Sequence, residues 1–276
     1  MSLNPANTLT ISVIITTYNW PKALALVLQS LFAQTLKPLE ILIADDGSSE
    51  ETRNLIQAIQ KTSLIPITHL WQPDYGFRAS RARNKALLQA QGHYIIFLDG
   101  DVIPRPSFLE HQVHLAKPGY FVSGNRVLLK PEFTQKVLEQ NLPIYLWTFF
   151  DWFKERYLRL EKITNRIFPL CLFQKPLKTK NQQWQGAKGC NLAFWKEDLW
   201  NINGWEEEFS GWGYEDSDLI IRLLRSGIKR CDVKFYIPVV HLWHPEHDRS
   251  REIKNKYLLQ QVLKTPYIQA KQGLFS

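Results

Sequence analysis

An apolar, β-branched run at Ile11 to Thr16 is followed by apolar residues at Leu24, Val27, Leu28 and Leu31. That i, i+3, i+4, i+7 spacing predicts a helix with one buried face. Pro21 suits its first turn, where a missing N–H leaves nothing unpaired. Leu39 to Ala44 predicts a second strand, and Ser48 with Glu51 offers a capping box for a helix that turns Leu55, Ile56 and Ile59 inward. Ile67 to Trp71 predicts a third strand, Ser80 to Gln91 a third helix, and Tyr94 to Leu98 a fourth strand ending at Asp99. Strands alternating with helices in this way build β-α-β units on a parallel sheet, whose ligands bind beyond the carboxyl ends of the strands. Three polar clusters fall at those ends: Thr16-Thr17-Tyr18-Asn19, Asp45-Asp46-Gly47-Ser48 and Asp99-Gly100-Asp101.

After Pro106 the periodicity loosens. Residues 145–180 hold nine aromatics and eight basic against three acidic side chains, and Leu146, Phe149, Phe153, Tyr157, Leu160 and Ile167 keep roughly helical spacing as far as Pro169. This stretch reads either as an amphipathic segment lying on an anionic membrane surface or as a helix packed on the sheet with its basic face solvated. From Gln185 order returns, with a strand at Cys190 to Trp195, a turn at Gly211-Trp212-Gly213, a helix from Glu215 to Ser226 and a strand from Val233 to Val240. No internal repeat or low-complexity linker interrupts the chain, so a single α/β domain over 1–276 is expected.

Composition sharpens this picture in three places. Ten Trp among 276 residues suit stacking on sugar rings as well as core filling. The net charge of +8 suits polyanionic partners such as phosphorylated small molecules or anionic lipid, while no recognition motif points to nucleic acid. The three cysteines, at 171, 190 and 231, form no C-x-x-C pair, which points to a reducing compartment and against a disulfide framework. The N-terminus carries no basic region before the short Ile11 to Ile15 run, and no apolar stretch approaches eighteen residues. A cytoplasmic protein, at most peripheral on the inner face of the cell membrane, is expected. Rossmann, P-loop and nucleophile-elbow signatures are all missing, which removes the main support for dinucleotide oxidoreductase, NTPase and α/β-hydrolase readings.

Asp99-Gly100-Asp101 holds two carboxylates at a strand end, a pair suited to a hard divalent cation shared with a diphosphate. His241 and His244, just after the last predicted strand, add imidazoles, and an imidazole-carboxylate set favours Mn²⁺ over Mg²⁺. Asp46 can accept from a nucleobase imide or ribose hydroxyl, and Arg78 can meet a phosphate or the base. Arg81 and Arg83 are assigned in part to the solvated face of the third helix. Glu215, Asp216 and Asp218 stand at a helix N-terminus, which favours negative charge; beside Trp212, a carboxylate there fits a general base acting on an acceptor hydroxyl. Two other classes share some of these features. A sugar-nucleotide synthase would be expected to carry a basic Gly-rich loop after its first strand, and a non-catalytic carbohydrate-binding protein leaves the ordered acidic set unexplained.

Taken together, Ser12 to Asn19, Ala44 to Ser48, Gly76 to Asn84 and Phe97 to Asp101 resemble the family 2 glycosyltransferases of the GT-A fold. Gly186 to Asn191, Gly204-Trp205 and Gly211 to Asp216 are similar to the acceptor half of β-1,4-galactosyltransferases and bacterial chondroitin-type polymerases. The resemblance implies one mixed, mostly parallel sheet flanked by helices, with a helical excursion around 130–183. Residues 1–105 would form the nucleotide-sugar half, 106–183 the excursion, 184–250 the acceptor and catalytic half, and 251–276 a tail. It implies that Thr16, Tyr18, Asp46 and Arg78 hold the uridine of a UDP-sugar, that Asp99 and Gly100 contact the ribose side of the donor, and that Asp101, His244 and His241 ligate the metal. Asp216 is the implied base and Glu215 its neighbour on the acceptor. Trp212, Gly213 and Tyr214 would line the acceptor site, with Tyr214 standing where similar proteins often have Gly. The implied reaction is inverting transfer of a hexose to a carbohydrate or glycolipid acceptor, in polysaccharide or lipopolysaccharide synthesis.

Overall fold

Period-two alternation decides what each strand buries. In β1 (Ile11–Thr17), Ile11, Val13 and Ile15 face one side of the sheet and Ile14 the other, and all four are buried. A strand covered on both faces needs a near-continuous apolar run, which is why the predicted strand reads as one block. A computed structural model describes residues 9–159, 183–233, 236–246 and 248–275.

β1 leads through α1 (Pro21–Phe32) to β2 (Glu40–Asp45), then through α2 (Glu50–Gln60) to β3 (Ile67–Trp71) and through α3 (Ala79–Gln89) to β4 (Tyr94–Asp99). There follow β5 (Val102–Ile103), α4 (Phe108–Leu115), β6 (Tyr120–Ser123), β7 (Arg126–Leu128), α5 (Pro131–Glu139) and α6 (Phe149–Arg159). The second half adds β8 (Asn191–Trp195), α7 (Lys196–Asn201), α8 (Glu215–Arg225), β9 (Lys229–Asp232), β10 (Val239–His241) and α9 (Glu252–Lys264).

Seven strands make the main sheet in the order β3-β2-β1-β4-β8-β6-β9. The pairs from β3 to β4 are parallel, β8 runs antiparallel to both of its neighbours, and β6 and β9 are parallel. The sheet is therefore mixed and mostly parallel, as expected. A three-stranded sheet, β5-β10-β7, accompanies it and was not anticipated. Only the end of the predicted strand from Val233 to Val240 is strand: β9 (Lys229–Asp232) ends before it, and β10 begins at Val239, directly after Pro238, which has no N–H to give a ladder.

α1 buries Leu24, Val27, Leu28 and Leu31 as its spacing predicts. The capping box before α2 does not form. Ser49 occupies the N-cap without a side-chain bond, and Ser48 is drawn into the turn: its Oγ accepts from Asn19 N at 2.9 Å while its own N donates to Asp45 Oδ1 at 2.8 Å. In the excursion, α6 buries Trp152 and leaves Phe150 well exposed. Leu160, Lys162, Ile167, Pro169 and Cys171 lie outside the described residues.

Candidate active site

The carboxyl ends of β1, β2 and β4 stand side by side, with Thr16 paired to both Ala44 and Asp99. At the β2 end, Asp46 is buried and already holds two short bonds, from Gln72 Nε2 to Oδ1 and from Arg78 N to Oδ2, both 2.6 Å. Burial pushes its carboxyl above the ordinary value in spite of those bonds. The turn that presents it needs Gly47: φ is +101°, and a Cβ there would lie 2.6 Å from Asp74 backbone. Tyr18 is half exposed and donates its hydroxyl to Asp74 at 2.8 Å, while the Arg78 guanidinium lies over the Tyr75 ring and donates to the Pro73 carbonyl. Tyr18, Asp46 and Arg78 thus line one open cleft edge linked through Asp74 and Gln72.

Gly100 N donates to Thr16 O at 2.7 Å, which turns the chain at the end of β4 and aims Asp101 toward the second sheet. There β10 pairs antiparallel with β5, His241 opposite Val102, and Leu242 N donates to the Asp101 carbonyl at 3.0 Å. Three side chains meet as a result: His244 Nε2 lies 3.4 Å and His241 Nε2 3.7 Å from Asp101 Oδ2. Each ring nitrogen on the far side, Nδ1, sits 2.7 Å from a backbone carbonyl, of Leu242 and Pro245 respectively. That arrangement fixes the tautomer that leaves Nε2 as a lone-pair donor, the outer-shell pattern of a metal-binding imidazole. Burial lowers the proton affinity of His241 and raises that of Asp101. Asp101 Oδ1 is buried with no hydrogen-bond partner among the described residues. One carboxylate and two imidazoles, with ligand atoms within 4.8 Å of one another, could hold a metal ion.

The expected place of Arg83 on a solvated face is overturned. Its side chain is only 4% exposed, because it lies on the same α3 face as Ala79, Ala82, Ala86 and Leu87. Nε donates to Thr16 Oγ1 at 3.0 Å, Nη2 approaches Asp99 Oδ1 at 3.2 Å, Nη1 approaches Glu215 Oε1 at 3.5 Å, and the guanidinium lies over the Trp205 ring. The i, i+3, i+4, i+7 apolar set around position 83 was the available signal, since a basic residue inside an apolar stripe is buried with partners. Arg81, by contrast, is 58% exposed and reaches only Glu207 at 4.0 Å.

Antiparallel pairing of β8 with β4 sets Asn191 opposite Leu98 and so brings the Gly189 turn to the end of β4. Gly189 N donates to Asp216 Oδ2 at 3.3 Å, and Ser217 Oγ to Asp216 Oδ1 at 3.3 Å. Burial, reinforced by the charge of Asp216, pushes the Glu215 carboxyl up to about 7, even with Arg83 beside it. Asp218, the third carboxylate of the helix start, is fully buried against Arg222 at 2.7 Å and serves the core. Trp212 carries the Arg249 guanidinium on its ring, Gly213 has φ +105°, and Tyr214 has φ +72°. The Tyr214 ring packs against Phe209, Ile221, Leu259 and Val262, which offsets the left-handed backbone that explains why glycine suits this position.

The family model described as glycosyl transferase family 2 matches residues 12–179, and that described as the N-terminal domain of galactosyltransferase matches 173–248. The chain is similar to a chondroitin synthase of Escherichia coli, 29% identical over 236 residues, covering 79% of this chain and 32% of that protein. It is also similar to the E. coli protein named UDP-Glc:alpha-D-GlcNAc-diphosphoundecaprenol beta-1,3-glucosyltransferase WfaP, 36% identical over 104 residues, covering 38% of this chain and 40% of that one. The chain thus spans well under two thirds of either curated relative. Among solved structures it shares its fold with S. aureus TarS in complex with UDP-GlcNAc, with a TM-score of 0.61 and 15% identity, covering 96% of this chain and 68% of that one. With the sheet order, the strand-end carboxylates and a family model that takes in more than half of its length, the chain belongs to glycosyl transferase family 2.

Proposed function

We propose that this chain transfers a hexose from a UDP-sugar to a carbohydrate hydroxyl with inversion at the anomeric carbon. One observation carries the reading: the buried Arg83 guanidinium touches Asp99 on the donor side and Glu215 on the acceptor side, so both halves open onto one site. Tyr18, Asp46 and Arg78 hold the uridine, with Asp46 taking the imide N–H on an oxygen that retains acceptor capacity. Asp99 and Gly100 meet the ribose and the inner end of the diphosphate. Asp101, His241 and His244 would hold a divalent ion, Mn²⁺ in preference to Mg²⁺, which would stabilise charge on the departing diphosphate.

Asp216 accepts the proton of the acceptor hydroxyl as that oxygen attacks the anomeric carbon from the face opposite the diphosphate. The bond from that carbon to the diphosphate oxygen breaks, UDP departs, and an α-linked donor gives a β-linked product. Glu215, held by Arg83, orients a neighbouring acceptor hydroxyl, and Trp212 and Gly213 form the wall on which the acceptor ring stacks. Tyr214 contributes the shape of that wall more than a free ring. The name of the diphosphoundecaprenol-dependent relative supports a lipid-linked acceptor, and the basic, aromatic stretch around α6 supports attachment at an anionic membrane surface. Among the described residues no helix is long and apolar enough to cross a membrane. The deciding experiment incubates the chain with a panel of UDP-sugars and Mn²⁺ and follows UDP release. Metal-dependent release is expected, and no UDP release from any donor, with pyrophosphate released instead from UTP and a sugar 1-phosphate, would overturn the reading.

A further inference from the structure

Residues 209–214 form neither helix nor strand, yet they carry Trp212 and lead directly into Glu215 and Asp216. Two consecutive positions, Gly213 and Tyr214, have positive φ, which at Tyr214 is a conformation that surrounding contacts have to impose. Those contacts come from α9 and the residues just before it. Asn255 is fully buried, and its single Nδ2 lies 3.2 Å from Ser210 O, 3.4 Å from Gly211 O and 3.3 Å from Trp212 O. Three successive carbonyls therefore curl around one amide. One turn earlier, Arg251 Nη1 donates to Ser210 Oγ at 2.9 Å, and its stem lies so close that a Cβ on Gly211 would fall 2.6 Å from Arg251 Cβ. On the other side Gly211 N donates 2.8 Å to the carbonyl of Phe77, the residue before Arg78.

We propose that Asn255 is the positioning residue of the acceptor side, fixing Trp212 and Asp216 relative to the donor sheet by clamping the 210–212 carbonyls. The amide touches no reacting atom. It acts through the loop, whose bent backbone has no ladder of its own and which is tied to the segment before Arg78 through Gly211 N and the Phe77 carbonyl. Loss of the two N–H donors frees three part-buried carbonyls to seek other partners, and the loop shifts as they do. A displacement of about 1 Å at a reacting group is enough to lower turnover on the order of 100-fold. The kinetic part of this inference rests on the transferase reading, whereas the structural part does not.

The test compares the full chain with Asn255→Asp, which keeps the shape but turns donors into acceptors, and with Asn255→Ala. Hydrogen exchange is followed over residues 208–216, and UDP affinity is measured by calorimetry with Mn²⁺. Exchange in that loop is expected to rise about tenfold or more, as for a segment released to local opening. UDP affinity should stay within about twofold, while acceptor-dependent transfer falls about 10- to 100-fold and acceptor-independent hydrolysis of the UDP-sugar persists. Arg251→Ala, at an exposed position that leaves the buried amide in place, should give the same pattern at smaller size and covers the case in which both Asn255 variants fail to fold. Loop amides as protected as in the unaltered chain, or donor and acceptor parameters falling in parallel with Tm, would overturn the clamp. If the unaltered chain transfers no sugar, the proposed function fails and the exchange data still decide the clamp.

Discussion

On the proposed donor side, Thr16, Asp46 and Asp99 stand at or just past the ends of three adjacent parallel strands, and backbone ladders fix their mutual positions. On the proposed acceptor side, Asp216 lies in the first turn of a helix reached through an irregular loop, and what holds this region comes from afar: Gly189, α9, and Asn84 of α3, which brackets Trp205 with two bonds of 2.8 Å. A wall made of strand ends tolerates change at one side chain because neighbouring ladders persist. A wall suspended by single side chains does not. Arg83 reaches from the first wall to the second, through Asp99 and Glu215.

The comparison can be broken most sharply at the candidate metal triad of Asp101, His241 and His244. Asp101→Ala and His244→Ala are each expected to reduce UDP release to background with circular dichroism and Tm nearly unchanged, and excess chelator should do the same to the unaltered chain. Full turnover in chelator would separate the triad from the chemistry. Next, Asp216→Asn should lower kcat by about 10²- to 10⁴-fold with donor affinity preserved, because the carboxamide keeps the shape but cannot take a proton. If Glu215→Gln is the crippling change instead, the base sits one residue earlier.

Within the acceptor wall, Asp218→Asn should cost about 3–5 kcal/mol of unfolding free energy, since it leaves the buried Arg222 without its counter-charge. Chemical denaturation measures this, and a loss no larger than that of a surface substitution would show that the wall does not depend on the pair. A smaller effect sharpens the role of Glu215. Its carboxyl titrates near 7 in the fold against an ordinary 4.5, so the folded state binds the proton more tightly than the unfolded chain. Ionisation therefore costs stability as pH rises from 4.5, and the whole cost is present above about 7. Glu215→Gln removes that cost, so the variant should gain stability relative to the parent between pH 5 and pH 8; a constant difference across that range would contradict it. The weakest expected effect is surface attachment. At low salt the chain should co-sediment with anionic liposomes, and changing Lys154, Arg156, Arg159 and Lys162 to Gln should release it, each basic residue contributing roughly 1 kcal/mol.

The sequence by itself determined the parallel half of the sheet, β1 to β4. Helical spacing named the buried face of α1, apolar blocks named β1 to β4 within a residue or two, and the polar clusters at their ends named Asp46, Asp99 and Asp101. These are local signals, readable because a parallel strand is buried on both faces and its end must be polar to meet solvent or ligand. The convergence of His241 and His244 with Asp101 was named from residue type and resemblance, but only the pairing of β10 with β5 accounts for it. The apolar stripe around Arg83 signalled its burial, but tertiary structure alone decided its partners Thr16, Asp99 and Glu215, and the fate of Ser48, drawn from a helix cap into the turn by Asn19 and Asp45. It alone decided the clamp by Asn255, forty-three to forty-five residues from the carbonyls it holds. No periodicity records such a bond, because a side chain that serves a distant loop leaves in its own helix only a buried polar position whose partner the local sequence does not name.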